Sequence, residues 1–273
     1  MTTLSASIEG ARAAAITIRL VGGPTVVFEI GGVRLLTDPT FDPPGDHRIG
    51  ERNLVKTGDP AIGFDAIGDV DAVLLSHDQH PDNLDGQGRK LIERVPLVLT
   101  TAAAAQRLGG RTRELPVWSS LVLPRPDGGE LKITGVPAQH GPTGTEHITG
   151  EVRGFVVSGE GLPTVYISGD NVSLAIVRDV ADHAGPIDIA VLFAGRARSP
   201  LIDAYLTLSA EQAAEAAEIL GSRVVIPIHV DGWAHLTQDA SLMGDAFARH
   251  GLAKRLLVLT PGALTTVPAP AHA

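Results

Sequence analysis

The sequence of 273 residues contains no cysteine. Disulfide bonds are therefore excluded, and any metal ion must be held by histidine, aspartate, glutamate or asparagine. The sequence also lacks an uninterrupted apolar run of the roughly 18 residues that a membrane-spanning helix needs. Residues 1–15 show no basic segment followed by an apolar one, which is the pattern of a secretory signal peptide. We therefore expect a soluble, cytoplasmic protein with no membrane partner.

Positive charge is also scarce, with 22 Lys and Arg residues against 31 Asp and Glu residues and a net charge of −9 at pH 7. An acidic surface repels phosphate backbones, so nucleic acid is not an expected partner. The hydrophobic fraction of 44% indicates a globular protein with a substantial core. No repeat or linker is evident. We predict a single domain over residues 1–273, with a core over about 15–262, a frayed tail over 267–273, and room for a homo-oligomer.

Short apolar runs in the first third of the chain predict β-strands. Residues 14–20 alternate like a half-buried strand, and residues 25–30 and 33–37 form a hairpin pattern around a glycine pair. Residues 41–63 are rich in Gly, Pro and charge, which predicts a long loop. Residues 71–76 form a short apolar run that predicts a buried strand.

Strands and helices alternate in the rest of the chain. Ser209 begins a capping-box pattern that predicts a strong helix, and Gly221 predicts its end. Apolar runs at 224–228 and 256–260 predict two further strands. A strand-rich first part followed by alternation predicts an α/β fold, in which two mixed sheets pack together with helices outside.

Side chains that bind metals directly follow several of the apolar runs. They are His77, His80, Asp82, His140, Asp170 and His229. Because strand ends on one edge of a sheet converge in space, we expect these distant residues to meet. Neutral imidazole and carboxylate are natural ligands for zinc, and they also suit iron and manganese.

Segments in one consistent order carry a resemblance to a known family. They are Val-Gly-Gly-Pro-Thr-Val-Val-Phe-Glu-Ile (21–30), Leu-Leu-Thr-Asp-Pro (35–39), Leu-Leu-Ser-His-Asp-Gln-His-Pro-Asp-Asn-Leu-Asp (74–85), Pro-Ala-Gln-His-Gly-Pro (137–142), Tyr-Ile-Ser-Gly-Asp-Asn (166–171) and Ile-Pro-Ile-His-Val-Asp-Gly-Trp (226–233). The chain resembles metallo-β-lactamase-fold proteins, in the branch of metal-dependent hydrolases that is similar to L-ascorbate-6-phosphate lactonase. Several segments in order are far more specific than one. The resemblance covers about residues 15–262 and implies a four-layer αβ/βα sandwich.

The segment 76–83, which we call the metal loop, departs from the usual family pattern His-x-His-x-Asp-His. This chain has His77-x-x-His80-x-Asp82-Asn83. Either one residue is inserted and His77 pairs with His80, or Gln79 takes the place of the second histidine. In both interpretations Asn83 stands where a histidine usually serves a second metal. Asn is a weaker, neutral oxygen donor, so Gln79 and Asn83 are at most weak ligands.

The resemblance implies a centre for one or two zinc (Zn2+) ions, with manganese (Mn2+) or iron as alternatives. The firmer implied ligands are His77, His80 and His140 with Asp170 nearby, and the weaker set is Asp82, Asp170 and His229. The implied reaction is attack of metal-activated water on a small-molecule ester, lactone, amide or phosphoester. Asp82 would orient the water or accept its proton, and Asp170 would bridge two metals.

Four further residues are candidates for supporting roles. Asp38 would fix the tautomer of a histidine ligand. Trp233 and His235 follow His229 closely and would line the substrate pocket, with plain packing almost as well supported. Arg196 could bind an anionic substrate, although a solvated loop residue is the favoured alternative.

Three functions stay open on the sequence alone. The first is a metal-dependent hydrolase, and the second is an iron-dependent redox enzyme on the same fold. The third is a degenerate member that binds a ligand without turnover, an alternative that Gln79 and Asn83 support. Metal content separates the third from the first, and the identity of the metal separates the second.

Overall fold

The structure is a computed structural model that describes residues 15–50 and 52–269. Within them, seven strands form the first sheet. In spatial order they are β17 (Leu264–Val267), β1 (Ile16–Gly22), β2 (Thr25–Ile30), β3 (Val33–Thr37), β6 (Ala72–Leu74), β7 (Val98–Thr100) and β8 (Thr112–Glu114). Strands β17 to β3 are antiparallel to their neighbours, whereas β3, β6, β7 and β8 run parallel. The sheet is therefore mixed.

Six strands form the second sheet. They are β16 (Val224–Ile228), β13 (Ile189–Phe193), β12 (Val165–Ile167), β11 (Arg153–Ser158), β10 (Glu130–Pro137) and β9 (Ser120–Pro124). Strands β12, β13 and β16 are parallel, and the others are antiparallel. Two small hairpins pair β4 (Gly45–Ile49) with β5 (Arg52–Lys56), and β14 (Arg198–Ser199) with β15 (Ala204–Tyr205).

Helices cover the outer faces of both sheets. They are α1 (Gly86–Ile92), α2 (Ala102–Leu108), α3 (Glu146–Thr149), α4 (Leu174–Ala184), α5 (Ala210–Leu220) and α6 (Ser241–Arg249), with short 3-10 helices at Phe64–Ala66 and Ala253–Arg255. No helix within the described ranges is long and apolar enough to cross a bilayer.

Three apolar clusters hold these layers together. The central cluster lies between the sheets and joins Phe28 and Leu74 to Phe155. A second cluster packs helices α4, α5 and α6 on the second sheet, with Phe247 fully buried, and a third packs α1 on the first sheet through Leu91. The layers therefore run helix, sheet, sheet, helix, which confirms the predicted sandwich of two mixed sheets.

The predicted caps of α5 are present. The Ser209 side chain accepts a hydrogen bond from the Gln212 backbone N–H, and the Gln212 side chain accepts one from the Ser209 N–H. Gly221 ends the helix with a φ of 65°, in the left-handed region that glycine adopts without strain.

Two predictions about irregular segments are wrong. The segment predicted as a loop, 41–63, contains the hairpin β4–β5. Residues 256–260 do not form a strand: Leu256 makes an isolated bridge with Val225, and of this apolar run only Leu259 is buried, whereas Val258 is 46% exposed.

The end of the chain also differs from expectation. The last strand is β17, and Val267 at the start of the predicted tail pairs with Ile16 and is 3% exposed. Residues 268 and 269 carry no regular structure, whereas residues 270–273 of the predicted frayed tail, and residues 1–14 of the predicted domain, lie outside the described residues.

Strand direction determines where the candidate ligands lie. Strands β10, β12, β13 and β16 point the same way in the second sheet, and β3 and β6 are parallel in the first. The segments that leave their carboxyl ends carry the candidate ligands and Asp38. Backbone hydrogen bonds from Arg153 to Ser76 (3.0 Å) and from His229 to Gly23 (2.8 Å) join the two sheets at this edge.

Candidate metal centre

Four side chains form what we call the first ligand group: His77, His80, His140 and Asp170. Their ligand atoms all lie within 4.8 Å of one another. His80 Nδ1 lies 2.8 Å from His77 Nε2 and 3.3 Å from His140 Nε2. Asp170 Oδ2 lies 3.6 Å from His140 Nε2 and 4.0 Å from His77 Nε2. The metal loop and the segments after β10 and β12 thus converge on one point.

Three side chains form the second ligand group: Asp82, His229 and His235. Their ligand atoms also lie within 4.8 Å of one another. Asp82 Oδ2 is 3.3 Å from His229 Nε2 and 3.0 Å from His235 Nε2. Asp170 Oδ1 is 3.7 Å from His229 Nε2, while its other oxygen faces the first ligand group. Asp170 therefore lies between the two groups with one oxygen directed to each.

The structure adds a second candidate role for His235. The sequence predicts a residue that lines the substrate pocket, and the structure brings its imidazole, which is 15% exposed, into the second ligand group. The only signal in the sequence is a second histidine six residues after His229. The turn that brings His235 back depends on Trp233, which bridges to Lys56 of the β4–β5 hairpin. Because that hairpin was predicted as a loop, this contact could not be anticipated.

The beginning of the metal loop is held by buried hydrogen bonds. Asp38 Oδ1 accepts a 2.7 Å hydrogen bond from the Ser76 N–H, and Ser76 Oγ lies 3.0 Å from His77 Nδ1. The Asn83 amide donates to Ser76 Oγ at 3.3 Å. Asp38 therefore binds the backbone N–H of Ser76, the residue before His77, rather than an imidazole as predicted. The Ser76 hydroxyl supplies the contact to the His77 ring.

The far end of the loop is held by Asp85. Its carboxylate caps α1 by accepting from the Gly88 N–H at 2.8 Å, and it also accepts from the Asp42 N–H at 2.6 Å. Lys56 Nζ lies 3.2 Å from the same carboxylate, and both side chains are buried. Removing one partner of such a pair leaves an uncompensated buried charge. The loop is thus fixed at both ends before any ligand binds.

Backbone conformation adds a second constraint. Asp38 and His229 have φ values of 29° and 54°, in the left-handed region that non-glycine residues seldom adopt. Each such residue costs on the order of 1–3 kcal/mol, and such strain clusters at functional sites. Gly195 makes the His229 conformation possible, because a Cβ on it would lie 2.2 Å from the His229 carbonyl oxygen.

Burial keeps His77 and His140 of the first ligand group neutral. Burial and then the neighbouring His80 lower the pKa of His140 to about 3, and burial with His80 and His140 lowers the pKa of His77 well below its usual value. The Leu206 carbonyl accepts a hydrogen bond from His140 Nδ1 at 3.1 Å, which leaves the lone pair on Nε2 toward the group. Neutral imidazole is the form that binds metals.

The carboxylates have opposite pKa shifts. Burial, and then the charges of Asp82 and Asp38, raise the pKa of Asp170 well above its usual value. Burial alone would raise the pKa of Asp82 too, but His235 and His229 together hold it well below its usual value. A cation between the groups would reverse the shift at Asp170, since it favours the charged form of a neighbouring carboxylate.

Buried polar atoms at the centre indicate what is needed there. Within the described part of the chain, both oxygens of Asp170, Oδ1 of Asp82 and Nε2 of His229 are buried without a hydrogen-bond partner. Such groups are costly to bury unless they are paired or coordinate a metal. Imidazole nitrogens and carboxylate oxygens in this number fit zinc, iron or manganese. The residues therefore fit a metal ion.

The remaining predicted residues lie around the two groups. The Gln79 amide packs against Gly150, where an added Cβ would be 2.2 Å from its Nε2. Trp233 is buried with its ring centroid 6.4 Å from that of His235, so packing and pocket lining both apply to it. Arg196 places its guanidinium 3.9 Å from the ring of Tyr205, a stacking contact that occupies this side chain.

Residues 33–230 match the model of the beta-lactamase superfamily domain. A UPF0173 metal-dependent hydrolase from Pyrococcus abyssi is 30% identical over 134 residues, which cover 48% of this chain and 52% of that protein. A UPF0173 metal-dependent hydrolase from Thermus thermophilus is 26% identical over 88% of this chain and 92% of that protein. The alignments with the Pyrococcus abyssi and Pyrococcus furiosus relatives thus span only about half of those proteins.

Solved structures share the fold. The isothiocyanate hydrolase from Delia radicum gut bacteria has a TM-score of 0.78 and 20% identity, covering 93% of this chain and all (100%) of that one. CmlA, a diiron beta-hydroxylase from Streptomyces venezuelae, has a TM-score of 0.63 and 18% identity, covering 93% of this chain and 54% of that one. At these identities the likeness concerns the fold alone. The narrower resemblance to L-ascorbate-6-phosphate lactonase stays a prediction.

Proposed function

Since the chain belongs to the beta-lactamase superfamily domain family, whose model covers residues 33–230, we propose that it is a metal-dependent hydrolase acting on a small molecule. The observation that carries the proposal is Asp170, a buried carboxylate between two groups of candidate ligands. The names of the relatives from Pyrococcus abyssi and Thermus thermophilus support the same class of activity.

The first ligand group would hold one ion through His77, His80 and His140, and Asp170 would bridge toward a second. Zinc suits this donor set, with manganese or iron as alternatives. A divalent cation bound here would lower the pKa of a bound water to about 7 and polarise a substrate oxygen. The substrates that this chemistry suits are esters, lactones, amides and phosphoesters.

The residues of the chain would supply orientation and charge. Asp82 has one oxygen 3.0 Å from His235 Nε2 and 3.3 Å from His229 Nε2, and its other oxygen is buried without a hydrogen-bond partner in the described ranges. Because its pKa is held low, we assign Asp82 to orienting the attacking water rather than to storing its proton. Asp38 and Ser76 would keep His77 in place.

A redox enzyme that uses iron is the second candidate. The same donor set suits iron, and the fold is shared with a diiron beta-hydroxylase. A binding protein without turnover is less well supported, because the two residues that suggested a lost site are accounted for. His80 rather than Gln79 lies in the first ligand group, and Asn83 holds the loop through Ser76.

Elemental analysis of untagged protein, purified without added metal, tests the proposal. We expect about one to two equivalents of zinc per chain, and hydrolysis of at least one compound in a screen of esters, lactones, amides and phosphoesters. Asp170→Asn protein, matched in size, should lack both. Bound iron with oxygen consumption would instead indicate the redox enzyme, and absence of metal uptake would overturn both enzyme proposals.

A further inference from the structure

The second ligand group contains a histidine from outside the metal loop. We propose that His235 completes a second metal site and replaces the loop histidine whose position Asn83 occupies. The inference rests on the proposed metal-dependent function and adds to it the residue that makes a second site possible. His235 lies outside the metal loop, in the segment that follows β16.

Asn83 is already used in another way. Its side chain is fully buried and its amide donates to Ser76 Oγ at 3.3 Å, the hydroxyl that also contacts His77. This contact directs the nitrogen of the amide toward the support of the loop. An amide binds a metal ion only through its oxygen, and the neutral Oδ1 of Asn83, which is buried without a hydrogen-bond partner among the described residues, is a weaker donor than imidazole. Asn83 therefore supports the first ligand group through its nitrogen, and the second group lacks the imidazole that the loop usually supplies.

His235 supplies the missing donor at the right distance. Its Nε2 is 3.0 Å from Asp82 Oδ2, closer than the 3.3 Å of His229 Nε2. With Asp170 Oδ1, which lies 3.7 Å from His229 Nε2, the site has two imidazole nitrogens and two carboxylate oxygens. Four such donors match the coordination number that zinc usually has in proteins.

The backbone around His235 is fixed on both sides. Its carbonyl accepts a hydrogen bond from the Arg198 N–H at 3.1 Å, and Leu236 bridges to Ala197. On the other side Trp233 is buried and bridges to Lys56. A surface histidine on a loose turn would have none of these constraints. The segment thus presents His235 to Asp82 before a metal arrives.

The two groups are alike in exposure. His80 in the first group and His235 in the second are half-buried, whereas the side chains of His77, His140 and His229 are at most 3% exposed. Because His235 belongs to the second group alone, its loss should leave the first site intact.

A cobalt titration of metal-free protein tests this inference. Bound Co2+ is counted by elemental analysis after gel filtration, and its visible absorption bands report each site. Wild-type protein should bind two ions per chain, and His235→Ala protein should bind one and lose the second site. His47→Ala is the matched control, because His47 also contacts Trp233 and its side chain is 14% exposed. This control should bind two ions.

Each outcome separates this inference from the proposed function. Two ions bound to His235→Ala, or one ion bound to both wild-type and His235→Ala protein, would overturn the inference and leave the hydrolase proposal standing. No ion bound to wild-type protein would overturn both. Circular dichroism shows whether His235→Ala protein is folded, and a folded variant that binds no ion would contradict independent sites.

Discussion

Asp170 belongs to the first ligand group and directs its other oxygen toward the second, but the two groups are built in different ways. In the first group the other ligands are all imidazoles, two of them three residues apart in the metal loop. In the second group the loop carboxylate of Asp82 lies beside His229 and His235. These two histidines are six residues apart in the segment that follows β16. The first group thus takes two of its four ligands from the metal loop, whereas the second takes one ligand from the loop and two from the segment after β16.

This difference indicates how a binding site can survive the loss of a ligand. Compared with the family pattern, the metal loop has either an extra residue between its histidines or Gln79 in place of the second one, and it lacks the usual final histidine. The first group accommodates this change within the loop, because Asp38 and Ser76 hold the start of the loop in place. The second group cannot be repaired locally, so its third donor comes from another segment. We therefore expect substitutions of Asp170, of residues at the second group and of residues that support the loop to affect metal binding and stability differently.

Replacing the shared carboxylate should have the largest effect. Asp170→Asn keeps the size of the side chain but removes the charge that would face both ions. We expect metal content to fall to near zero and kcat/KM to fall at least about 1000-fold, which corresponds to about 4 kcal/mol of transition-state stabilisation. Elemental analysis and steady-state kinetics on a substrate found in the screen measure these effects.

Asp179→Asn, on the exposed face of α4, is the control and should keep full activity. Retention of one tightly bound ion in Asp170→Asn protein would show that one group does not depend on the shared residue. The two groups would then have to be treated as independent centres rather than as one.

Gly195→Ala should affect the second group more than the first. The new Cβ would meet the His229 carbonyl oxygen at 2.2 Å, so the backbone that carries His229 must move. We expect a loss of stability on the order of 2–4 kcal/mol, and weaker binding of the second cobalt ion. Urea unfolding and the cobalt titration measure the two effects.

Gly244→Ala provides the matched control for this substitution. Gly244 lies within α6 with nothing within 4 Å of an added Cβ, so alanine there should stabilise the helix by roughly 0.5–1 kcal/mol. Equal weakening of both cobalt ions in Gly195→Ala protein would argue against a local effect on His229.

The same difference explains what could be predicted from sequence. Strands such as β2 and β3 were predicted at their observed bounds, because their apolar runs pair across a tight glycine turn. The candidate ligands that directly follow strands were also found, since strand ends mark one edge of the sheet. Here periodicity and position in the chain carry the information.

What could not be predicted depends on contacts without periodicity. The strand β4 has an exposed or half-exposed side chain at every position, so it lacks the apolar alternation that marks a half-buried strand. Its hairpin contacts Trp233 through Lys56, and that contact fixes the turn that carries His235. A ligand that is positioned by an unpredicted hairpin cannot be identified from the spacing of residues in the sequence.

Asp38→Asn should change the pH dependence of stability in metal-free protein. Burial raises the pKa of Asp38 from its usual 3.8 to about 8. Between these values the unfolded chain releases a proton that the folded protein retains, so Asp38 costs stability as pH rises from 3.8 to about 8. Asparagine has no such proton, and its oxygen can still accept from the Ser76 N–H.

The difference in unfolding free energy between Asp38→Asn and wild-type protein should therefore shift in favour of the variant between pH 5 and pH 8. We expect a shift of roughly 3–4 kcal/mol, measured by urea unfolding in the presence of a chelator. A difference that stays constant with pH would mean that Asp38 is ionised in the folded protein, and that its effect on the loop is steric.

Gln79→Ala should have the smallest effect, and it tests how the first group absorbs its extra residue. The Gln79 amide packs against Gly150, whereas His80 Nδ1 lies within 3.3 Å of two other imidazole nitrogens. We expect unchanged metal content in Gln79→Ala protein and a change in affinity of less than about threefold, roughly 0.6 kcal/mol, measured against a chromophoric chelator. His80→Ala should lose the first site. Loss of the first site in Gln79→Ala protein, with the site kept in His80→Ala protein, would make Gln79 the loop ligand. Both groups would then differ from the family pattern by a substituted residue, and no residue would be inserted in the loop.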